Sequence, residues 1–236
     1  PVVFSQIFGG GGNSGAPYTH DFVELFNRSS APVALDALSV QYASATGTGN
    51  FGANATLLAT FPAGAQLQPG RYYLVQLGPG AGNGMPLPAA DLVGPAISVN
   101  ASAGKFALVT GATTLGCNGG SAPCDSAQEG RIIDLVGFGS ANYAETAAAP
   151  SISNTTALVR AGGGCTDTNN NQADFSTGAP APRNGPTAAA PCGGDAAPFI
   201  AATAPSNHAA SVSTTVAVQI TFSEAVTLSD PWFSFQ

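Results

Sequence analysis

Basic residues are scarce in this sequence. Six Lys and Arg stand against thirteen Asp and Glu among 236 residues, for a net charge of −7. Binding nucleic acid through its phosphates takes a stripe of Lys and Arg that displaces counterions. Six scattered residues cannot form one, so nucleic-acid binding by this segment is excluded. Long apolar runs are missing as well. The composition is 44% hydrophobic, yet 30 Gly and 18 Pro break it into short pieces. None approaches the roughly 20 residues of a membrane-spanning helix. No CxxC spacing occurs, which removes the usual zinc and dithiol redox motifs. No secretory leader is visible, and a start at Pro1 suggests one already removed.

The four cysteines fall in Gly/Asn/Ala/Pro-rich stretches suited to stapled loops. They permit three connectivities; the local one, Cys117–Cys124 and Cys165–Cys192, is expected. An even cysteine count, little lysine, and sequons at Asn27, Asn54, Asn100 and Asn154 fit an extracytoplasmic protein. The sequons carry little weight, because such triplets arise by chance in chains rich in Asn, Ser and Thr.

What is present is a series of short strand-like runs: VVFSQIF, DFVELFN, LSVQYAS, RYYLVQL, KFALVTG, RIIDLVGFG and TALVR, parted by turn clusters such as ATGTGN and LQPG. Leu38, Val40 and Tyr42 alternate with Ser39, Gln41 and Ala43, the pattern of a sheet with one wet face. Gly and Pro interrupt every helical window. The reading is an all-β sandwich or barrel. After Cys192 the texture changes: GGDAAP reads as a linker, and TVAVQITF as a strand with Val216, Val218, Ile220 and Phe222 on one face. About 40 residues are too few for an independent core.

The stretch GGGGNSGAP near the start could cradle a phosphate or carry a nucleophilic serine. A phosphate loop needs a helix after its glycines, whereas DFVELFN follows and alternates like a strand. Ser14 would need a histidine and a carboxylate behind it; His20, at a strand entrance, is the sole histidine before the linker. The stretch therefore reads as a strand connection that uses glycine where φ is positive.

Taken in order, SQIFGGGGN, DFVELFN, PVALDALSVQY, LQPGRYYLVQ, ASAGKFALVT, DLVGFGSAN, SNTTALVR, DTNNNQADF and APRN resemble successive motifs of bacterial lamin-tail domains, over residues 1 to about 185. Leu38 stands where that family often has Trp, so a core aromatic is replaced. TAPSNHAASVSTTVAVQITFSEAV resembles the first half of a bacterial Ig-like module. The resemblance implies an immunoglobulin-like β-sandwich of lamin-tail type without an active site over residues 1–193, then a linker and the N-terminal part of an Ig-like module over 194–236. It also implies a place at the front of a large secreted or surface protein, often ahead of an endonuclease/exonuclease/phosphatase-type domain.

CTDTNNNQADF is the one cluster with ligand chemistry. Asp167, Asn169, Asn171 and Asp174 are hard oxygen donors of the kind Ca²⁺ takes. Against this, the Gly and terminal Glu of an EF-hand are absent, and an Asx-turn loop bonding its own backbone is the plainer reading. Glu24 and Asp134, set in apolar runs, could pair for acid–base work, or accept hydrogen bonds as buried carboxylates must. Tyr72, Tyr73 and Tyr143 could stack sugars, though strand tyrosines more often fill core or rim. His208 reads as a solvated residue. No catalytic constellation emerges, and no cofactor other than Ca²⁺ is suggested. The expected role is a non-catalytic module serving attachment or spacing, secreted or on a bacterial cell surface. Its partners would be other domains of the same chain or neighbouring surface proteins. The alternatives are a structural subunit of an extracellular assembly, self-associating through residues 196–236 where Trp232, Phe233 and Phe235 add apolar area, and a carbohydrate- or calcium-dependent binding module.

Overall fold

Short runs rich in β-branched and aromatic residues, cut by Gly and Pro, form strands because those side chains pack well on a pleated sheet while the breakers stop any helix. A computed structural model of the chain describes residues 2–193, 200–206, 209–210, 212–213 and 215–222. The chain falls into two compact units, Pro1–Cys192 and Gly193–Gln236.

The first unit contains β1 (Val2–Phe8), β2 (His20–Asn27), β3 (Val33–Ala34), β4 (Leu38–Ala43), β5 (Leu58–Thr60) and β6 (Gln66–Leu67). It continues with β7 (Tyr72–Pro79), β8 (Leu92–Val93), β9 (Gly104–Thr110), the one-turn helix α1 (Ser126–Glu129), β10 (Ile132–Phe138) and β11 (Ala157–Arg160). Helix α2 (Asn171–Asp174), again one turn, and β12 (Phe175–Gly178) complete it. One sheet runs β12-β11-β1-β2-β7-β8 and the other β10-β9-β4-β5, with β3-β6 as a small separate ladder. Pairing is antiparallel except between β7 and β8. The architecture is an all-β, immunoglobulin-like sandwich, in agreement with the sequence reading.

The two sheets meet on one apolar layer. Val23 and Leu25 of β2 and Tyr73, Val75 and Leu77 of β7 face Val40 and Tyr42 of β4, Phe106 and Leu108 of β9 and Val136 and Phe138 of β10. Strand β1 bulges between Phe4 and Gln6. The irregularity reverses side-chain parity, so Val2 and Phe4 before it and Ile7 after it all enter this core.

One expectation is corrected here. Strand β4 has no wet face: all six of its residues are buried, Ser39 and Gln41 among them. The segment 111–118, which leads into the Cys117–Cys124 disulfide, covers that side. Gln41 Oε1 accepts the Leu115 N–H at 2.9 Å, Gln41 Nε2 donates to the Thr113 carbonyl at 2.9 Å, and Ser39 Oγ donates to the Gly111 carbonyl at 2.7 Å. Around them Phe51, Ala107, Val109, Leu115 and Cys117 form a second buried layer. Polar alternation therefore marks a face buried against a loop, with each polar group paired as burial requires.

In the second unit β13 (Ile200–Ala204) pairs antiparallel with β14 (Gln219–Phe222). The ladder takes only the last four residues of TVAVQITF; Val216 and Val218 precede it, 47% and 55% exposed. The linker residues 194–199, His208, Trp232, Phe233 and Phe235 lie outside the described residues.

Candidate functional site

Burying charge is costly unless it is paired, so in a chain this poor in charge the buried ions mark the places where the fold is held most specifically. Arg160, at the end of β11, is fully buried. Its Nη2 donates to both oxygens of Asp134 at 2.9 and 3.0 Å, its Nε to the Phe4 carbonyl at 2.8 Å, and its Nη1 lies 3.3 Å from Asp167 and 3.5 Å from Asp174. Asp134 also accepts the Phe4 N–H at 2.6 Å, and the Phe175 ring lies 4.5 Å from the guanidinium carbon. One arginine thus joins β1, β10 and β11 to the segment 167–175, which holds α2 and the start of β12. Burial raises the Asp134 carboxyl above its ordinary range, while Arg160 and the Phe4 N–H pull it down. Glu145 comes in as a further acid: carboxylate oxygens of Asp134, Glu145 and Asp167 lie within 4.8 Å of one another. Burial, reinforced by the charges on Asp134 and Asp167, raises Glu145 to about 7.

The loop read as a possible calcium ligand set takes part in this network. Asp167 is paired with Arg28 at 2.6 Å as well as with Arg160. Asp174 accepts from the Thr168 N–H at 2.8 Å and hydroxyl at 2.7 Å. The structure brings these two carboxylates together around the Arg160 guanidinium. Asn171 turns elsewhere: its Oδ1 accepts the Gly137 N–H, and its Nδ2 donates to the Leu135 carbonyl and to Glu145. Asn169 occupies the left-handed region at φ 56°, and its carbonyl accepts the Thr146 hydroxyl.

Glu24 belongs to a separate network on the outer face of the six-stranded sheet. Its carboxylate accepts from Ser5 Oγ at 2.5 Å, Gln6 Nε2 at 3.1 Å, and from Arg183 through the backbone N–H at 2.6 Å and Nη2 at 2.7 Å. The Arg183 guanidinium also stacks 3.7 Å from the Tyr72 ring and donates to the Tyr72 hydroxyl. Glu24 and Asp134 are therefore each held by an arginine of their own and form no acid–base pair. Of the three tyrosines, Tyr72 and Tyr73 border one small pocket of about 210 Å³, and Tyr143 is not among the residues that line it. Tyr72 packs on Phe26, Tyr73 packs edge-on to Phe61 in the core, and Tyr143, which lies in a loop and not in a strand, packs near Phe51.

The glycine stretch is a packed turn. Asp21 takes the Gly11 N–H at 2.8 Å and the Val99 N–H at 2.9 Å, and burial, partly offset by those two bonds, raises it to about 7. Gly12 has the expected positive φ, 69°. Gly9 is required for another reason, close approach: a Cβ there would lie 2.7 Å from the Asn100 carbonyl oxygen. Ser14 is exposed, and its carbonyl accepts from Asn154 Nδ2.

A groove of about 420 Å³ beside Ser44, Thr46, Asn100, Ser102 and Ser140 is lined by small neutral residues and no titratable group. The sequence reading missed Arg160, Arg183, Lys105, Asp21 and Glu145. The available signal was scarcity: with five Arg and one Lys in the chain, most cations have a structural partner to meet. No curated protein and no solved structure matches the chain. The family model described as Lamin Tail Domain matches residues 1–197, well over half of the sequence, and the chain belongs to the lamin tail domain family.

Proposed function

We propose that this segment is a non-catalytic module of a secreted or surface-exposed bacterial multidomain protein, placed ahead of an endonuclease/exonuclease/phosphatase-type domain and serving attachment or spacing. The observation that carries the reading is where its reactive groups are spent. Glu24, Asp134, Asp167 and Asp174 are all engaged by arginine or hydroxyl partners that tie strands to loops. A general acid or base needs a proton or lone pair free to face a substrate. Family membership supports the same view. The pairs Cys117–Cys124 and Cys165–Cys192 are bonded, which suits an oxidising compartment. The exposed Val216 and Val218 favour a second reading, a structural subunit that joins its neighbours through the Ig-like segment.

Protease shaving of intact cells, with mass spectrometry of the released peptides and of the culture medium, tests the first reading. It expects peptides of this chain outside the cell, with oxidised cysteines. Peptides confined to the cytosolic fraction with reduced cysteines would refute it. Metal-dependent phosphodiester cleavage by the purified 236-residue chain, abolished by one point substitution, would remove the non-catalytic part. Ordered fibres of the same chain in light scattering and microscopy would shift the conclusion to the second reading.

A further inference from the structure

Lys105 is the only lysine in the chain, and it is fully buried. It sits on β9, paired across the sheet with Gly137 of β10 and Ala43 of β4. Its amine donates to the Asn118 carbonyl at 2.8 Å and to Asn142 Oδ1 at 2.7 Å, and the Phe51 ring lies 5.7 Å away. Among the described residues no carboxylate forms an ion pair with it; the ion pairs there are made by Arg28, Arg160 and Arg183. A buried ammonium without a counter-ion is costly, and burial lowers the pKa of this one. The neutral amine is a nucleophile, and the carbon next to the oxygen it touches is an amide carbonyl.

We propose that Lys105 and Asn142 form an intramolecular amide cross-link. The lone pair of Nζ forms a bond to Asn142 Cγ; the tetrahedral adduct passes a proton from Nζ to Nδ2; the Cγ–Nδ2 bond breaks and ammonia leaves. Nothing is oxidised or reduced. Asn142 is exposed, so the leaving group reaches solvent directly. The product keeps one N–H to donate to the Asn118 carbonyl and removes the buried charge. It also ties the inner strand β9 covalently to the loop after β10. With no carboxylate on the amine among the described residues to relay the proton, the step is slow and belongs to maturation of the folded protein. It is faster at alkaline pH, where the amine is neutral.

The single lysine makes the bond easy to read. The folded chain is incubated at the highest pH at which circular dichroism shows it native, then reduced, denatured and digested with endoproteinase Lys-C. The cross-linked chain is lighter by one ammonia and resists cleavage after Lys105. The Asn142→Ala chain is cut into residues 1–105 and 106–236. Mass alone would not decide, because succinimide formation at Asn83–Gly84 or Asn184–Gly185 also expels ammonia; protease resistance separates the two. Complete cleavage of the incubated wild-type chain would overturn the proposal, as would resistance that persists in Asn142→Ala.

Discussion

Replacing Arg160 by Met keeps an apolar side chain of similar length against Phe175 and removes the guanidinium that Asp134, Asp167 and Asp174 share. Asp134 is only 1% exposed and Asp174 fully buried, so both lose a counter-charge that water cannot replace. Breaking a buried pair in this way costs about 3–5 kcal/mol. The Phe4 carbonyl, which accepts from Nε, loses a donor worth about 1 kcal/mol more. For a chain of this size the melting temperature should fall by roughly 8–24 °C. The loss also has a sign in pH. Orphaned Asp134 has a folded-state pKa still further above its unfolded value, so the folded variant binds a proton that the unfolded chain has released. The associated stability is fully present below the unfolded pKa and is lost as pH rises through the folded one. The deficit relative to wild type should therefore be largest near about pH 8 and shrink toward about pH 5, by about 1.4 kcal/mol for each unit of pKa difference. Urea denaturation of both chains across that range measures it, and adding Asp134→Leu to the variant should recover part of the loss. A deficit below about 1 kcal/mol, or one that stays constant with pH, would refute the idea that Arg160 acts chiefly as the counter-ion of buried carboxylates.

Asp21 and Glu145, both raised to about 7 mainly by burial, give the wild-type chain a pH dependence of the same sign. Its stability is gained as pH falls through 7 toward the ordinary carboxylate range and lost on the alkaline side; urea midpoints should be higher near about pH 5.5 than near about pH 8.5, and Asp21→Asn should flatten part of that slope. The Cys165–Cys192 bond closes a separation of 27 residues and Cys117–Cys124 one of 7. Loop-closure entropy then assigns them about 3.5 and about 2.4 kcal/mol, so the double Cys→Ser change at the first pair should lower urea stability by about 1 kcal/mol more than at the second; the reverse order would contradict this account. Millimolar Ca²⁺ should release no heat in calorimetry and leave the melting temperature unchanged, because Arg160 and Arg28 already occupy the carboxylates; saturable heat lost in Asp167→Ala would show otherwise.

The strands and the sandwich were legible in the sequence because they depend on local period. Val23 and Leu25, or Tyr73 and Val75, need only alternate within one short run to define a face, and the ordered motifs from SQIFGGGGN to APRN narrowed the sandwich to one family. What period cannot say is what lies over a face. Ser39 and Gln41 read as wet because they are polar, and only the fold of residues 111–118 above them makes them buried acceptors and donors. The glycine stretch announced a turn, yet the need for Gly9 arises from an approach to Asn100 that is far off in sequence. The charges were the least legible of all. Asp134 meets Arg160 across 26 residues and Glu24 meets Arg183 across 159. Nothing local distinguishes one arginine from another as a partner; the choice is made by which strand ends and loops the sheet topology brings together, and desolvation then makes each pairing obligatory.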